Sequence, residues 1–301
     1  MEQITSVQNP KIKELLALQE KSRLRREKGV FVVEGRRELE HCINAGFKLR
    51  TVFICPEILN GWQNAPGQRL TSLDPTLKGP PSYHAEGGRV AGGILPTSSL
   101  NLPVGLESHS MIEVSRAVYD KVAYRGGTEG VIAEVYSKEN SLDSLELGEN
   151  PLVIVLEGVE KPGNLGAVLR SADAAGADAV LICDPLTDIY NPNLVRASIG
   201  AVFTQQIACC ASTDAITFLK EKGIRIYTAQ LQDSEWYYDT DMCCGTAIAI
   251  GTEATGLTDQ WREAADAHIK IPMLGRLDSL NASVSAAILL FEAVRQRNSN
   301  R

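Results

Sequence analysis

The 301-residue chain has no run of about eighteen consecutive apolar residues, which excludes a membrane-spanning helix of ordinary length. Its start, MEQITSVQNPKIKE, lacks the short apolar core of a secretory signal. Both absences predict a cytoplasmic protein with no membrane partner. Cysteine is scarce and unpatterned: seven residues, at 42, 55, 183, 209, 210, 243 and 244, include no CxxC pair. That pattern predicts small, reduced core residues rather than a disulfide framework or a zinc knuckle. The four histidines, His41, His84, His109 and His268, form no HExxH pair, so no catalytic metal is predicted. Neither GxGxxG nor GxxxxGK[ST] occurs, which gives no support to a dinucleotide site or a P-loop.

What the chain does contain is enough apolar material, 44% of residues against 22% charged, for one large domain or two smaller ones. Its net charge of −7 hides a gradient. Residues 1–50 carry 11 basic against 7 acidic side chains, residues 51–150 carry 7 against 12, and residues 151–301 carry 12 against 18. The basic charge concentrates in Lys21, Arg23, Arg25, Arg26 and Lys28, a run that offers several cations to a phosphate backbone. Glu20 and Glu27 keep open the alternative of a solvated helix face.

Asn9-Pro10 is a helix start, and Ile12, Leu15, Leu16 and Leu18 recur at helical spacing toward Gly29. A strand at Val30–Val33, a helix at Arg36–Ala45 closed by Gly46, and a strand at Leu49–Cys55 give an αβαβ beginning. Residues 61–105 hold 8 of the 25 glycines and 6 of the 13 prolines, which predicts a long irregular insertion. Regular pattern resumes with a strand at Met111–Val114, a helix at Ser115–Ala123, a glycine-rich turn from Tyr124 to Gly130 and a strand at Val131–Tyr136. The first domain therefore spans 1–136, and the polar, acidic segment 137–150 reads as a linker.

The remaining residues, 151–301, predict an α/β fold with a mainly parallel sheet. Leu152–Leu156 is a continuous apolar strand, Leu165–Ala175 a helix of small residues, and Ala179–Cys183 the next strand. Further strands are expected at Gln206–Cys209, Arg225–Ala229, Thr246–Gly251 and His268–Ile271, with a final helix at Ser279–Arg297. That helix carries one apolar stripe, Leu280, Val284, Ala287, Ile288, Phe291 and Val294, widened by Ala282, Ala286, Leu289, Leu290 and Ala293. So broad a surface is covered either by a second copy in a homodimer or within the monomer.

Ligands of open parallel sheets bind at the carboxyl ends of the strands, and three loops there are unusual. Gly158 to Arg170 places Asn164 where a helix cap belongs and Arg170 six residues later in an otherwise apolar helix, with a salt bridge to Asp173 as the alternative reading. Ile250 to Leu257 sets Glu253 between two glycines that allow close backbone approach. Ile271 to Ser283 is a strand end, a loop and a polar helix entrance in which Ser279 suits an N-cap.

In order and spacing, NLGAVLRSADAAGADAV, IGTEATGL and IPMLGRLDSLNASVSAAI closely resemble the three motifs of the SpoU (TrmH) family of RNA ribose 2′-O-methyltransferases, within the SPOUT class. Through SVQNPKIKELLAL, FVVEGRREL and VAYRGGTEGVIAEV the first half is similar to the family's small ribosomal-protein-like RNA-binding domain. The resemblance implies a C-terminal trefoil-knotted, mainly parallel sheet, with S-adenosylmethionine held largely by main chain at Gly251, Ile271 and Leu280 and with Met273 beside them. It implies catalysis by a buried Arg170 that stabilises a developing alkoxide, oriented with the ribose by Asn164, Glu253, Ser279 and Asn281. It further implies RNA binding through Lys21 to Lys28, Arg36, Arg37 and Arg125, with ribosomal RNA favoured as substrate. A transfer-RNA enzyme and a non-catalytic RNA-binding or ribosome-assembly protein of the same fold are the alternatives.

Overall fold

A computed structural model describes residues 1–63, 111–124, 129–276 and 279–299. The expected insertion 61–105, beyond the helix end at its start, and Arg125 lie outside these residues. The first sheet is built from β1 (Glu2–Ile4), α1 (Pro10–Glu20), α2 (Ser22–Lys28), β2 (Val30–Glu34), α3 (Arg36–Asn44), β3 (Leu49–Ile54), α4 (Pro56–Gln63), β4 (Met111–Val114), α5 (Arg116–Val122) and β5 (Val131–Tyr136). Its strand order is β1-β4-β3-β5-β2, with β5 antiparallel to both neighbours and the other pairs parallel.

The helix expected to run toward Gly29 is instead broken at Lys21, whose backbone is extended between α1 and α2. The break has a physical reason. Arg25 turns inward and its Nη1 donates to the carbonyls of Leu18 and Gln19, two of the last acceptors of α1 that no helical N–H can satisfy. Gly29, at φ 60°, closes α2. Strand β1 has no signal in the sequence reading because three residues are too short to show alternation.

The second sheet follows through β6 (Leu152–Glu157), α6 (Pro162–Ala175), β7 (Ala179–Cys183), α7 (Pro192–Ser198), α8 (Ala201–Thr204), β8 (Ile207–Cys210), α9 (Ser212–Glu221), β9 (Arg225–Ala229), β10 (Glu235–Trp236), β11 (Thr246–Ile250), α10 (Asp259–Ala264), β12 (Ala267–Lys270) and α11 (Ala282–Ser299). Its order is β10-β12-β9-β11-β6-β7-β8, and every pairing is parallel. β6, β7 and β11 are buried along their whole length, as continuous apolar runs require when helices cover both faces.

Residues 137–150 are not a free tether. Asn140 accepts from the Cys209 N–H, Glu146 and Gln206 exchange two hydrogen bonds, and Leu142, Leu145 and Leu147 pack on the second core. The two sheets are joined by an aromatic cluster in which Phe31 stacks on Tyr190 at 4.2 Å and Phe47 meets Phe203 edge-on at 5.4 Å. Gly200, at φ 93°, lets α3 approach so closely that a Cβ there would lie 2.7 Å from the His41 ring.

The final helix starts three residues later than expected and buries only one of its apolar faces. Ala282, Ala286, Leu289, Leu290 and Ala293 are buried, whereas Val284 and Phe291 of the expected stripe are 46% and 48% exposed. Of the cysteines, Cys42, Cys55 and Cys183 are buried while the other four are half-buried, so the expectation of core residues holds for three.

Candidate active site

The parallel strands deliver all three unusual loops to one edge of the second sheet. After β6 the chain turns through Gly158, at φ 62°, and enters α6 at Pro162. Lys161 is the N-cap residue and makes no side-chain cap, so Asn164 is not the cap but the third residue of the helix. Its side chain is thereby free to reach sideways. Asn164 Nδ2 donates to Glu253 Oε1 at 2.9 Å, and Asn281 Nδ2 donates to the same oxygen at 2.8 Å and to Asn164 Oδ1 at 3.1 Å. Lys161 Nζ donates to Glu253 Oε2 at 2.7 Å. One carboxylate thus joins residues from three loops that are distant in sequence.

The electrostatics follow from those contacts. Hydrogen bonding by Lys161, then by Asn164, holds the Glu253 carboxyl below its ordinary value, and the same pairing raises the Lys161 ammonium. Asn281 has a second duty, since its Oδ1 accepts from the N–H and hydroxyl of Ser283 and caps α11. Ser279 is therefore not the cap. It is exposed, makes no side-chain hydrogen bond among the described residues, and is not brought into the Glu253 cluster.

Arg170 departs further from expectation. It is exposed rather than buried, and among the described residues it has neither a hydrogen-bond nor an ion-pair partner. The alternative salt bridge to Asp173 is also absent, because Asp173 accepts instead from Thr204 Oγ1 at 2.8 Å and Gln205 Nε2 at 3.3 Å. Six residues after Asn164 is about one and two-thirds helical turns, so Arg170 leaves α6 on a different face from Asn164. The surface of the monomer presents an uncompensated guanidinium on a helix whose Leu165, Val168, Leu169 and Ala172 are buried.

Gly251 is required by the chain itself. A Cβ there would lie 2.1 Å from the Gly256 carbonyl carbon, because residues 252–256 fold back through reciprocal Thr252–Gly256 backbone hydrogen bonds. Among the described residues, 271–276 and 279–280 make no backbone–backbone hydrogen bond, so main-chain N–H and C=O groups there could meet a ligand. Ile271 packs partly on the core, Met273 is half-buried, and Leu280 is 38% exposed. Main-chain donors and acceptors beside small apolar side chains fit a nucleoside cofactor recognised by backbone.

Two functional side chains escaped the sequence reading. Lys161 carries no periodic or motif signal beyond its position before Pro162. Glu157, at the buried end of β6, accepts from Thr258 N–H at 2.8 Å, Thr258 Oγ1 at 2.6 Å and Ser212 Oγ at 3.3 Å, pinning the exit of the Glu253 loop. A carboxylate that ends an apolar strand was the available clue.

The RNA-binding expectations divide. Arg25 does not face solvent: it is 4% exposed and its Nε donates to Asp188 at 2.6 Å, so its charge is spent on joining the two halves. Arg23 pairs with Glu27, and Lys28 with Glu14. Lys21, Arg26 and Arg37 are exposed and have no ion-pair partner among the described residues, and Arg36 is half-buried.

The sequence profile of the SpoU rRNA methylase family matches residues 151–291, and that of an MRM3-like substrate binding domain matches residues 9–75. The 23S rRNA (guanosine-2′-O-)-methyltransferase RlmB of Vibrio cholerae is 36% identical over 220 residues, covering 71% of this chain and 88% of that protein. The chain belongs to the SpoU rRNA methylase family. Its fold agrees with the crystal structure of an RNA 2′-O ribose methyltransferase, at TM-score 0.72 and 33% identity over 98% of this chain and 99% of that one. An AdoMet-bound rRNA methyltransferase from Sinorhizobium meliloti superposes at TM-score 0.76 with 26% identity, over 98% and 97% of the two chains.

Proposed function

We propose that this protein methylates a ribose 2′-hydroxyl of ribosomal RNA, with S-adenosylmethionine as donor and with residues 1–136 binding RNA for a methyltransferase domain at 151–301. The observation that carries the reading is the single Glu253 carboxylate that joins Asn164 and Asn281, with an unpaired arginine on the same helix as Asn164. Gly251, Ile271 and Leu280 would hold the cofactor, with Met273 beside them. When bound, S-adenosylmethionine supplies a methyl carbon activated by a sulfonium.

Transfer of that methyl group to the 2′-oxygen would leave a neutral thioether, and the hydroxyl proton would pass to water. The difficulty is the charge that grows on an oxygen whose proton is tightly held at neutral pH. A guanidinium is a poor proton acceptor, so Arg170 acts by its charge beside the developing alkoxide rather than as a base. Lys161, Asn164 and Asn281 hold Glu253 and so fix the relative positions of the three loops; Ser279 stands in the same loop and orients the ribose once substrate closes over it. The cation gains most where water is excluded, and in the monomer Arg170 is exposed. Two groups supply that exclusion. The RNA covers one side, and a second copy, docked on the exposed Val284 and Phe291 face of α11, which packs against α6, covers the other. Among the described residues no helix is long and apolar enough to cross a membrane, and we place the protein in the cytoplasm with its ribosomal substrate.

The test is Arg170→Ala, assayed by tritium transfer to a ribosomal RNA transcript and by calorimetric titration of the cofactor. Transfer is expected to fall by about 100- to 1,000-fold, as for loss of one transition-state donor, while cofactor affinity stays unchanged. Full turnover by this variant refutes the assignment.

A further inference from the structure

A cavity of about 310 Å³ opens where the two halves of the chain meet, away from the Glu253 cluster. It falls within the size range of small-ligand sites. One wall is apolar, contributed by Val30 and Phe31 of β2 and by Pro185 and Ile189 of the loop after β7. Ser137, Asn140 and Thr187 add polar groups to the lining. The Arg25–Asp188 pair, 4% and 9% exposed, lines it with charges that cancel. Arg26 and Lys138, both exposed, line it as well. Arg26 has no partner among the described residues, and Lys138 donates only to the Ala45 carbonyl while lying 4.5 Å from the Phe47 ring centre. Among the described residues no carboxylate pairs with either cation.

A neutral, half-apolar lining with two uncompensated cations matches a nucleotide, with its base and sugar on the apolar residues and its phosphate at the cations. The loop lining the cavity leaves the carboxyl end of β7, which lies beside β6 in the parallel sheet, so it belongs to the same edge as the three motif loops. We infer that this cavity binds one nucleotide at a subsite separate from the methylated ribose, holding its phosphate with Arg26 and Lys138. The subsite rests on the proposed function only in taking RNA as the main source of that nucleotide; a free mononucleotide shares the chemistry.

The experiment uses the full chain with Arg26→Ala, which removes an exposed side chain, and with Thr187→Trp, which fills the cavity. Guanosine and uridine 5′-monophosphate are titrated by NMR, and a labelled ribosomal RNA transcript by fluorescence anisotropy over a series of salt concentrations. Melting and cofactor titration check that the fold is kept. The intact protein is expected to bind a monophosphate, and both variants to lose at least tenfold of that affinity. If RNA is the source, both variants also weaken RNA binding, and Arg26→Ala lowers the salt slope by about 1. Loss of monophosphate binding with unchanged RNA affinity supports the subsite and assigns it to a free nucleotide. The inference is overturned if the intact chain binds no monophosphate and both variants bind RNA with wild-type affinity and salt slope. None of these readouts requires methyl transfer, so their failure is distinct from failure of the Arg170 assignment.

Discussion

Two ion pairs of nearly equal length sit in opposite surroundings. At the junction of the two halves, Arg25 and Asp188 meet at 2.6 Å with side chains 4% and 9% exposed, beside the Phe31–Tyr190 stack. At the motif loops, Lys161 and Glu253 meet at 2.7 Å with side chains 68% and 36% exposed, beside the amides of Asn164 and Asn281. The first pair is expensive to break because either charge left alone would remain desolvated. The second is screened by water and contributes position rather than stability. The junction is built as a core, which holds the two halves in one orientation. The motif-loop site is left open to solvent.

The comparison breaks first at the junction. Asp188→Ala should cost about 3–5 kcal/mol in urea unfolding, since it strands the Arg25 guanidinium. The double replacement Arg25→Met with Asp188→Leu should recover most of that loss, and failure to recover would mean the pair itself supplies net stability. Next is the contact that seats α6. A Cβ on Gly166 would lie 2.6 Å from the Ala197 Cβ and 2.8 Å from the Ala197 carbonyl carbon, so Gly166→Ala should destabilise by about 1–3 kcal/mol and shift the helix bearing Arg170. A melting curve and a turnover assay on one sample check both effects.

Smaller still in stability is Glu253→Gln. Its unfolding midpoint should match the wild type, while turnover falls by up to about 100-fold as the three loops lose their common partner. The pH dependence sharpens the contrast. Because its folded-state value is depressed, the contribution of the Glu253 carboxylate is present above the ordinary value of 4.5 and is lost as pH falls through the lowered value. An NMR titration of the carboxyl carbon should therefore show a midpoint below 4.5, moving up in Lys161→Met.

Several elements were legible because local physics decides them. Ala179–Cys183 and Arg225–Ala229 are strands with the expected limits, as short apolar runs bounded by turn residues should be. Asn9 with Pro10 starts α1 as expected, with the Asn9 side chain accepting from Lys11 N–H. Asn164, Glu253 and Asn281 were named from motif order, and the structure brings those three together. Arg25 was misread because its sequence neighbours are surface cations, and nothing local shows that Asp188, 163 residues away, faces it. Which face of α11 is covered was not legible for a related reason: both faces are apolar, and which one α6 covers depends on packing between helices far apart in the chain.

The sequence by itself determined most of the strands and helices and the three motif loops, because hydrophobic period, capping residues and glycine conformations act over a few neighbouring residues. Only the tertiary structure decided which charges are spent and which remain. Asp188 neutralises Arg25, Thr204 and Gln205 occupy Asp173, and Glu253 collects Lys161, Asn164 and Asn281, leaving Arg170 without a partner among the described residues. A charge acts on substrate only if the fold has not already paired it, and pairing is settled by contacts between residues that the chain itself keeps far apart.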